Sequence, residues 1–165
     1  MGDPGQNSSF VPKILIANGV NLDLLGRRQP RIYGSETLKD LETIVRADAP
    51  TLATTAGLGG ADIHFFQTNS EERFLDEISK DWHGALLNPG AWTHTSLALG
   101  DRMAALEIPY VEVHISHLAK REEFRQKSFI APHSLGSVSG LGLHSYLSAL
   151  LGLFYKLSAL NSATS

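Results

Sequence analysis

The chain has 165 residues, a length typical of one domain and sufficient to bury a sizeable core. It contains no cysteine, which excludes disulfides, thiolate metal sites and thiol nucleophiles. Its net charge of -3 argues against the broad basic face of a general nucleic-acid binder. The lack of cysteine fits a reducing compartment, and we expect a cytoplasmic location.

Neither end of the chain has the pattern of a targeting or membrane segment. Residues 1–12 are polar and rich in Gly, Pro, Asn and Ser, which is typical of a flexible leader. The longest apolar stretch, residues 143–157, is shorter than the roughly 20 residues that a membrane-spanning helix needs. We therefore expect a leader over 1–12, a single α/β domain over 13–160, a polar tail over 161–165 and no membrane contact.

Short apolar runs alternate with helical patterns along the chain. The apolar runs predict strands at 13–17, 62–66, 84–87, 110–115 and near 135–138. The helical patterns lie at 38–47, 71–80, 95–106 and 140–160. Thr37 and Asp40 predict a cap for the first helix, and Pro50 is expected to end or kink it. This alternation predicts a mostly parallel five-stranded sheet with helices on both faces.

Polar residues follow four of these predicted strands. They lie at 18–21 and 26–34 after the first strand, 67–70 after the second, 88–96 after the third and 116 after the fourth. Ligands of open parallel sheets bind beyond the carboxyl ends of the strands, where the strand order reverses. The sequence therefore predicts a binding site at this edge of the sheet.

Glu112 and His114 are two residues apart on a predicted strand, so their side chains face the same side of the sheet. A carboxylate beside an imidazole holds its tautomer and favours its protonated form, which suits a general acid. A buried polar pair that only satisfies its own hydrogen bonds is the alternative interpretation.

Three further residues have side chains suited to catalysis or anion binding. His94 is predicted to open a helix, where N–H groups and hydroxyls can hold an anion or hydroxyl groups. Ser116 and the N–H groups after its strand offer a similar nest for a carboxylate. Tyr33 lies in a Gly- and Arg-rich loop whose length is typical of an active-site lid. Neighbouring guanidinium groups favour the phenolate form of a tyrosine, which can act as a base. A structural histidine and a surface tyrosine are the alternatives.

Four motifs in order resemble the type II 3-dehydroquinate dehydratases. They are NGVNLDLLGRRQPRIYG at 18–34, NPGAWTHTS at 88–96, EVHIS at 112–116, and REEFR at 121–125 with Ser128 after it; GLG at 140–142 also matches. The match runs without large gaps from about residue 13 to residue 150. The resemblance implies a flavodoxin-like fold and an anti elimination of water from 3-dehydroquinate, which gives 3-dehydroshikimate through an enolate. It also implies that no metal or organic cofactor is needed and that trimers assemble into a dodecamer.

The resemblance implies roles for individual residues of the catalytic domain. Tyr33 matches the base, Arg28 the lid arginine that assists it, and His114, supported by Glu112, the acid. Asn21 matches the residue that orients a water on the enolate oxygen. The matching substrate-binding residues are Asn88, Gly90, His94, Asp101, Ile115, Ser116, Arg121 and Arg125. Of these, Asp101 is implied to reach the site of a neighbouring subunit. Val20 and Gly100 depart from the pattern, since the family generally has proline and arginine there.

Other functions are compatible with parts of this pattern. A flavodoxin-like binding or scaffold protein would need only the fold, and another lyase or a metal hydrolase would use Glu112, His94 and His114. No H-E-x-x-H helix or acidic cluster completes a metal site, and no lysine ends a core strand, as a type I enzyme would require. Aromatic biosynthesis and quinate breakdown share the predicted step, and the sequence is compatible with either.

Overall fold

In the computed structural model, which describes residues 9–27 and 35–164, five parallel strands form one sheet. The strands are β1 (Lys13–Asn18), β2 (Asp62–Gln67), β3 (Gly84–Asn88), β4 (Tyr110–His114) and β5 (Gly136–Ser139). They lie in the order β2-β1-β3-β4-β5, which is the flavodoxin-like order and confirms the predicted fold. The strand order reverses between β1 and β3, and this reversal places a potential ligand site at their carboxyl ends.

Continuous apolar runs build these strands because both faces of the sheet are covered. In β1, Ile14 and Ile16 are buried in one core cluster, and Leu15 and Ala17 in another. Such runs are typical of parallel strands that are buried on both faces.

The first three strands continue one residue beyond the predicted ends, to polar residues at 18, 67 and 88. The predictions ended at the change of polarity, but backbone pairing does not require an apolar side chain. The other two strands also shifted by a residue: β4 ends at 114 instead of 115, and β5 covers 136–139 instead of 135–138.

Helices cover both faces of the sheet, as predicted. They are α1 (Leu38–Thr55), α2 (Glu71–Ile78), α3 (Trp92–Thr95), α4 (Leu97–Ala105) and α5 (His144–Thr164). The core that α1 and α5 share with the sheet includes Leu41 and Tyr146, and the opposite core includes Phe74 of α2 and Leu99 of α4. The sheet is therefore the middle layer of three.

The start of α1 follows the prediction, but its end does not. The Asp40 backbone N–H donates to Thr37 Oγ1 (3.2 Å) and the Thr37 N–H donates to Asp40 Oδ2 (2.8 Å), which forms a capping box. The predicted end of the helix at residue 47 was wrong, and Pro50 does not end the helix, because α1 runs to Thr55 with Pro50 inside it. Ala49 and Ala53 are buried on either side of the exposed Pro50. Their packing against the core offsets the hydrogen bond that proline cannot donate.

The remaining helix predictions also needed correction. The helix predicted at 95–106 is two helices, because Ser96 is extended and caps α4 through the N–H of Leu99 (2.9 Å). His94 therefore lies inside the short α3 instead of opening a long helix. Helix α2 ends at 78 instead of 80. Helix α5 begins at 144, after two glycines with positive φ, and continues through residues 161–164, which were expected to form a polar tail. Among the described residues, no helix is long and apolar enough to cross a membrane.

Candidate active site

A cleft lies at the carboxyl ends of β1, β3 and β4, next to the reversal of strand order. The predicted site residues that line it are Asn21, Asn88, Gly90, His94, His114, Ile115, Ser116, Arg121 and Arg125. The structure therefore brings these residues together, although they come from four separate stretches of sequence. Val20, Leu22, Leu25, Ala91 and Leu118 also line the cleft and were not predicted. Apolar residues near strand ends have no sequence signal that separates a cleft wall from the core.

Close backbone contact between two loops shapes one side of the cleft. The N–H of Gly19, after β1, donates to the carbonyl of Asn88 at the end of β3 (2.8 Å). A Cβ on Gly19 would lie 2.3 Å from the Pro89 carbonyl oxygen, and one on Gly90 would lie 2.6 Å from that of Val20. Since backbone atoms cannot yield at such distances, both positions require glycine.

Asn21 follows this contact in a left-handed conformation, with φ of 64°. Asparagine tolerates this region better than most residues do. The Asn21 backbone N–H donates to Asn69 Oδ1 (2.8 Å), which ties the loop after β1 to the loop after β2. Asn21 is one of the residues that line the cleft.

His114 and Glu112 form a buried hydrogen-bonded pair beneath the cleft. Nε2 of His114 lies 2.7 Å from Oε1 of Glu112, and the two residues are 5% and 1% exposed. The prediction that they face the same side is therefore confirmed. When Glu112 is a carboxylate it can only accept, so His114 carries a proton on Nε2 and its other ring nitrogen is Nδ1. Glu112 does not line the cleft itself but holds the imidazole that does.

Ser128 completes this pair from a loop that follows the arginine motif. Its hydroxyl lies 2.6 Å from Oε2 of Glu112, the carboxylate oxygen that His114 does not use. Ser128 belongs to the motif at 121–128, but no chemical pattern in the sequence pointed to this contact.

One ring nitrogen of His94 is hydrogen-bonded within the protein, and the other is available for a ligand. Nδ1 lies 2.7 Å from the carbonyl oxygen of Lys127, so Nδ1 carries the proton and Nε2 of the neutral ring is an acceptor. Burial lowers the pKa of His94, and the positive charge of Arg125 acts in the same direction, whereas the hydrogen bond to the Lys127 carbonyl and the charge of Glu112 oppose them. The rings of His94 and His114 are nearly parallel, with centroids 6.2 Å apart. A neutral imidazole of this kind suits the binding of a hydroxyl group.

Two arginines, Arg121 and Arg125, line the cleft. Arg121 donates to Ser116 Oγ (3.4 Å) and to Glu122 Oε2 (3.2 Å). Arg125 Nε lies 3.2 Å from the same Glu122 oxygen. Both guanidinium groups contact this one exposed carboxylate, and guanidinium donors in a cleft suit an anionic ligand.

Asn88 is held by a hydrogen-bonded chain that extends to α5. Its Nδ2 donates to the Tyr146 hydroxyl (2.8 Å), which donates to Asn18 Oδ1 (2.5 Å). The N–H of Gly90 donates to Asn88 Oδ1 (3.3 Å). Tyr146 and Asn18 are fully or almost fully buried, and no contribution of Tyr146 to the site was predicted. In the sequence, Tyr146 is indistinguishable from the apolar residues that surround it in the last helix.

The structure does not test the predictions for two residues, and it places a third outside the cleft. Arg28 and Tyr33 lie outside the residues that the structure describes. Asp101 is exposed on α4 and does not line the cleft. Next to it, a Cβ on Gly100 would lie 3.0 Å from the Phe129 carbonyl oxygen, so the backbone approaches too closely for a larger side chain without a local shift. Residues 9–27 and 35–164 hold no group of three or more His, Cys, Asp or Glu able to bind a metal ion.

Comparison with known proteins identifies the family. The family model described as dehydroquinase class II matches residues 12–154. The chain belongs to this family. A protein of Prochlorococcus marinus strain NATL1A named 3-dehydroquinate dehydratase is 47% identical over 143 residues, which cover 85% of this chain and 94% of that protein. One of the same name from Geotalea daltonii is 46% identical over 145 residues, covering 86% and 96%. The crystal structure of a type II dehydroquinase from Butyrivibrio crossotus DSM 2876 matches with a TM-score of 0.79 and 34% identity, over 87% of this chain and 97% of that one. The predicted family is therefore confirmed.

Proposed function

We propose that the chain is a type II 3-dehydroquinate dehydratase, which removes water from 3-dehydroquinate and releases 3-dehydroshikimate. Its membership of the class II dehydroquinase family supports this activity. The observation that carries the proposal is the buried imidazole of His114 in the cleft wall, hydrogen-bonded to Glu112 at 2.7 Å. The reaction removes one proton and one hydroxyl as water, so it requires neither an oxidant nor a reductant.

In this proposal, Tyr33 removes the proton from the carbon beside the ketone, and Arg28 stabilises the phenolate form of Tyr33. Charge then develops on the carbonyl oxygen of the substrate, which requires a positioned donor. Asn21 supplies it by orienting a water molecule, a role supported by its place in the cleft wall. Losing a donor of this kind typically costs about 10²–10³ in rate.

His114 is the proposed acid for the departing hydroxyl. As an imidazolium it carries protons on both nitrogens, and the Glu112 carboxylate that accepts from Nε2 stabilises this form. The Nδ1 proton passes to the hydroxyl as the carbon–oxygen bond breaks, and water leaves. A general acid of this kind contributes roughly 10²–10⁴ in rate. Exchange with solvent then returns the proton to His114 and removes the one taken by Tyr33.

The other cleft residues are proposed to bind the substrate. Its carboxylate is placed at Ser116 and the backbone N–H of Ile115, near the positive charge of Arg121. Its ring hydroxyls are placed at Asn88, Gly90, His94 and Arg125; the acceptor Nε2 of His94 and the charge of Arg125 support this assignment. The two guanidinium groups that line the cleft support an anionic substrate.

We further propose a dodecamer built from trimers, in which Asp101 contributes to the site of a neighbouring subunit. The exposed position of Asp101 on α4 is compatible with such a contact. We also propose a cytoplasmic location, with a role in aromatic biosynthesis or in quinate breakdown. Light scattering of the purified protein tests the assembly, because a monomeric mass would contradict it.

The activity is tested by mixing chelator-treated protein with 3-dehydroquinate and following the ultraviolet absorbance of the conjugated product. We expect a steady rise that is largely lost in Tyr33→Phe and His114→Ala, while both variants still bind the substrate. The matched controls are Tyr155→Phe and His133→Ala, since both side chains are exposed and outside the cleft. A flat trace from folded wild-type protein would exclude this substrate. Activity that borohydride abolishes in the presence of substrate would indicate a lysine imine instead of this mechanism.

A further inference from the structure

Residues 127–130, which follow the arginine motif, contact two elements of the cleft at once. We refer to these four residues as the 127–130 segment. Its hydrogen bonds run from His94 Nδ1 to the Lys127 carbonyl (2.7 Å), from Ser128 Oγ to Glu112 Oε2 (2.6 Å), from the Phe129 N–H to the Thr93 carbonyl (2.9 Å), and from the Tyr110 hydroxyl to the Ile130 carbonyl. The segment therefore links α3, which carries His94, to β4, which carries Glu112 and His114.

The direction of the Ser128 hydrogen bond follows from the other partners of its hydroxyl. The backbone N–H groups of Ile130 (3.2 Å) and Ala131 (3.0 Å) both donate to Ser128 Oγ. A hydroxyl has two acceptor lone pairs and one proton. Because two donors occupy the lone pairs, the proton of Ser128 is directed to Glu112.

This donation leaves Glu112 with a different partner on each carboxylate oxygen. Oε2 accepts from Ser128 and Oε1 lies 2.7 Å from Nε2 of His114. Without the Ser128 hydroxyl, Oε2 of Glu112, a residue that is 1% exposed, would lose its charge-assisted hydrogen bond. The carboxylate could then rotate about its terminal bond, and the imidazole of His114 would lose its fixed partner.

We propose that Ser128 is a positioning residue for the acid of the reaction. It orients Glu112 so that the protonated Nε2 of His114 stays hydrogen-bonded to Glu112. The other ring nitrogen, Nδ1, then faces the substrate. The proposal rests on the proposed function for its effect on turnover. Its effect on the tautomer of His114 is independent of any substrate.

Steady-state kinetics of Ser128→Ala test the effect on turnover. A hydrogen bond to a charged group that matters in the transition state gives an expected fall in kcat of about 10- to 100-fold, which corresponds to about 1.4 to 2.7 kcal/mol. KM should change by less than about threefold, because Ser128 does not line the cleft. Ser128→Thr, which keeps the hydroxyl, should restore most of the rate.

The control is Ser134→Ala at the other end of the same turn. Its hydroxyl donates to the Ala131 carbonyl (2.9 Å) and has no contact with Glu112. This variant disturbs the turn but not the carboxylate, so its kcat should match that of the wild type. An equal loss of kcat in Ser134→Ala would indicate that Ser128 only stabilises the turn and would overturn the proposal.

The tautomer of His114 is measured by solid-state NMR of protein labelled with nitrogen-15 at histidine, with the signal assigned by its loss in His114→Gln. We expect the Nε2-protonated form in the wild type at a pH where the ring is neutral, and a mixture of both forms in Ser128→Ala. An unchanged tautomer together with wild-type kcat would overturn the positioning role and leave the proposed function intact. An inactive wild type whose tautomer still depends on Ser128 would reject the function but support the positioning. If Ser128→Ala does not fold, Ser128→Cys keeps the shape with a weaker donor, and wild-type values in that variant would overturn the proposal.

Discussion

Tyr146→Phe removes one hydroxyl that connects the sheet to the last helix. The Tyr146 hydroxyl accepts from Asn88 Nδ2 (2.8 Å) and donates to Asn18 Oδ1 (2.5 Å), and all three residues are at most 3% exposed. Phenylalanine keeps the ring and its packing, so the substitution separates the hydrogen bonds from the apolar contacts. Asn18 would then retain a buried oxygen, and Asn88 a buried N–H, without this partner.

A buried polar group left without its partner costs about 1–3 kcal/mol. Two such groups give an expected loss of about 2–6 kcal/mol. For a chain of this size, the loss corresponds to a fall in Tm of about 4–24 °C. KM for 3-dehydroquinate should also rise, because the amide of Asn88 lines the cleft and loses the contact that orients it.

Thermal unfolding, followed by circular dichroism at matched protein concentrations, measures the change in Tm. Tyr155→Phe is the control, because Tyr155 lies on the same helix but is 50% exposed. A Tm of Tyr146→Phe equal to that of the control would refute the reasoning. It would mean that water or a shifted side chain satisfies both asparagines in the variant.

Three further predictions concern the site and its supporting loops. Glu112→Gln should lower kcat by a factor of about 10²–10⁴ with little change in KM, because an amide cannot hold His114 in the same tautomer. A near-wild-type kcat in a steady-state assay would contradict the role of Glu112. The pKa of His94 is lowered in the folded chain, so as the pH falls the unfolded chain binds a proton at this histidine before the folded chain does. The free energy of unfolding therefore falls as the pH drops below about 6.5 towards the lowered pKa. The slope of Tm against pH in that range should be smaller in His94→Gln, and identical slopes would exclude the effect. Gly19→Ala should lower Tm because the added Cβ would lie 2.3 Å from the Pro89 carbonyl oxygen. Gly152→Ala lies in a helix, where the added Cβ would have no neighbouring atom within 4 Å, so this variant should raise the free energy of unfolding by up to about 1 kcal/mol. A rise in Tm in both variants would refute the close contact at Gly19.

Much of the fold follows from local sequence patterns. The apolar run at 13–17 predicted β1, and Thr37 with Asp40 predicted the cap of α1. The period of two along a strand was sufficient to place Glu112 and His114 on the same side. These features depend on residues that are close in sequence, where backbone geometry alone relates one side chain to the next.

Only the tertiary structure decided which distant residues meet in the cleft. Ser128 reaches Glu112 across 16 positions, His94 reaches Lys127 across 33, and Tyr146 reaches Asn18 across 128. The continuation of α1 past Pro50 likewise depends on core contacts that outweigh the local preference of proline. Local patterns predict where a segment begins and ends, but the packing of loops and helices on the sheet sets the distances between side chains. The sequence by itself therefore determined the family, the layers and the pairing of Glu112 with His114, whereas tertiary packing decided how that pair and Asn88 are held.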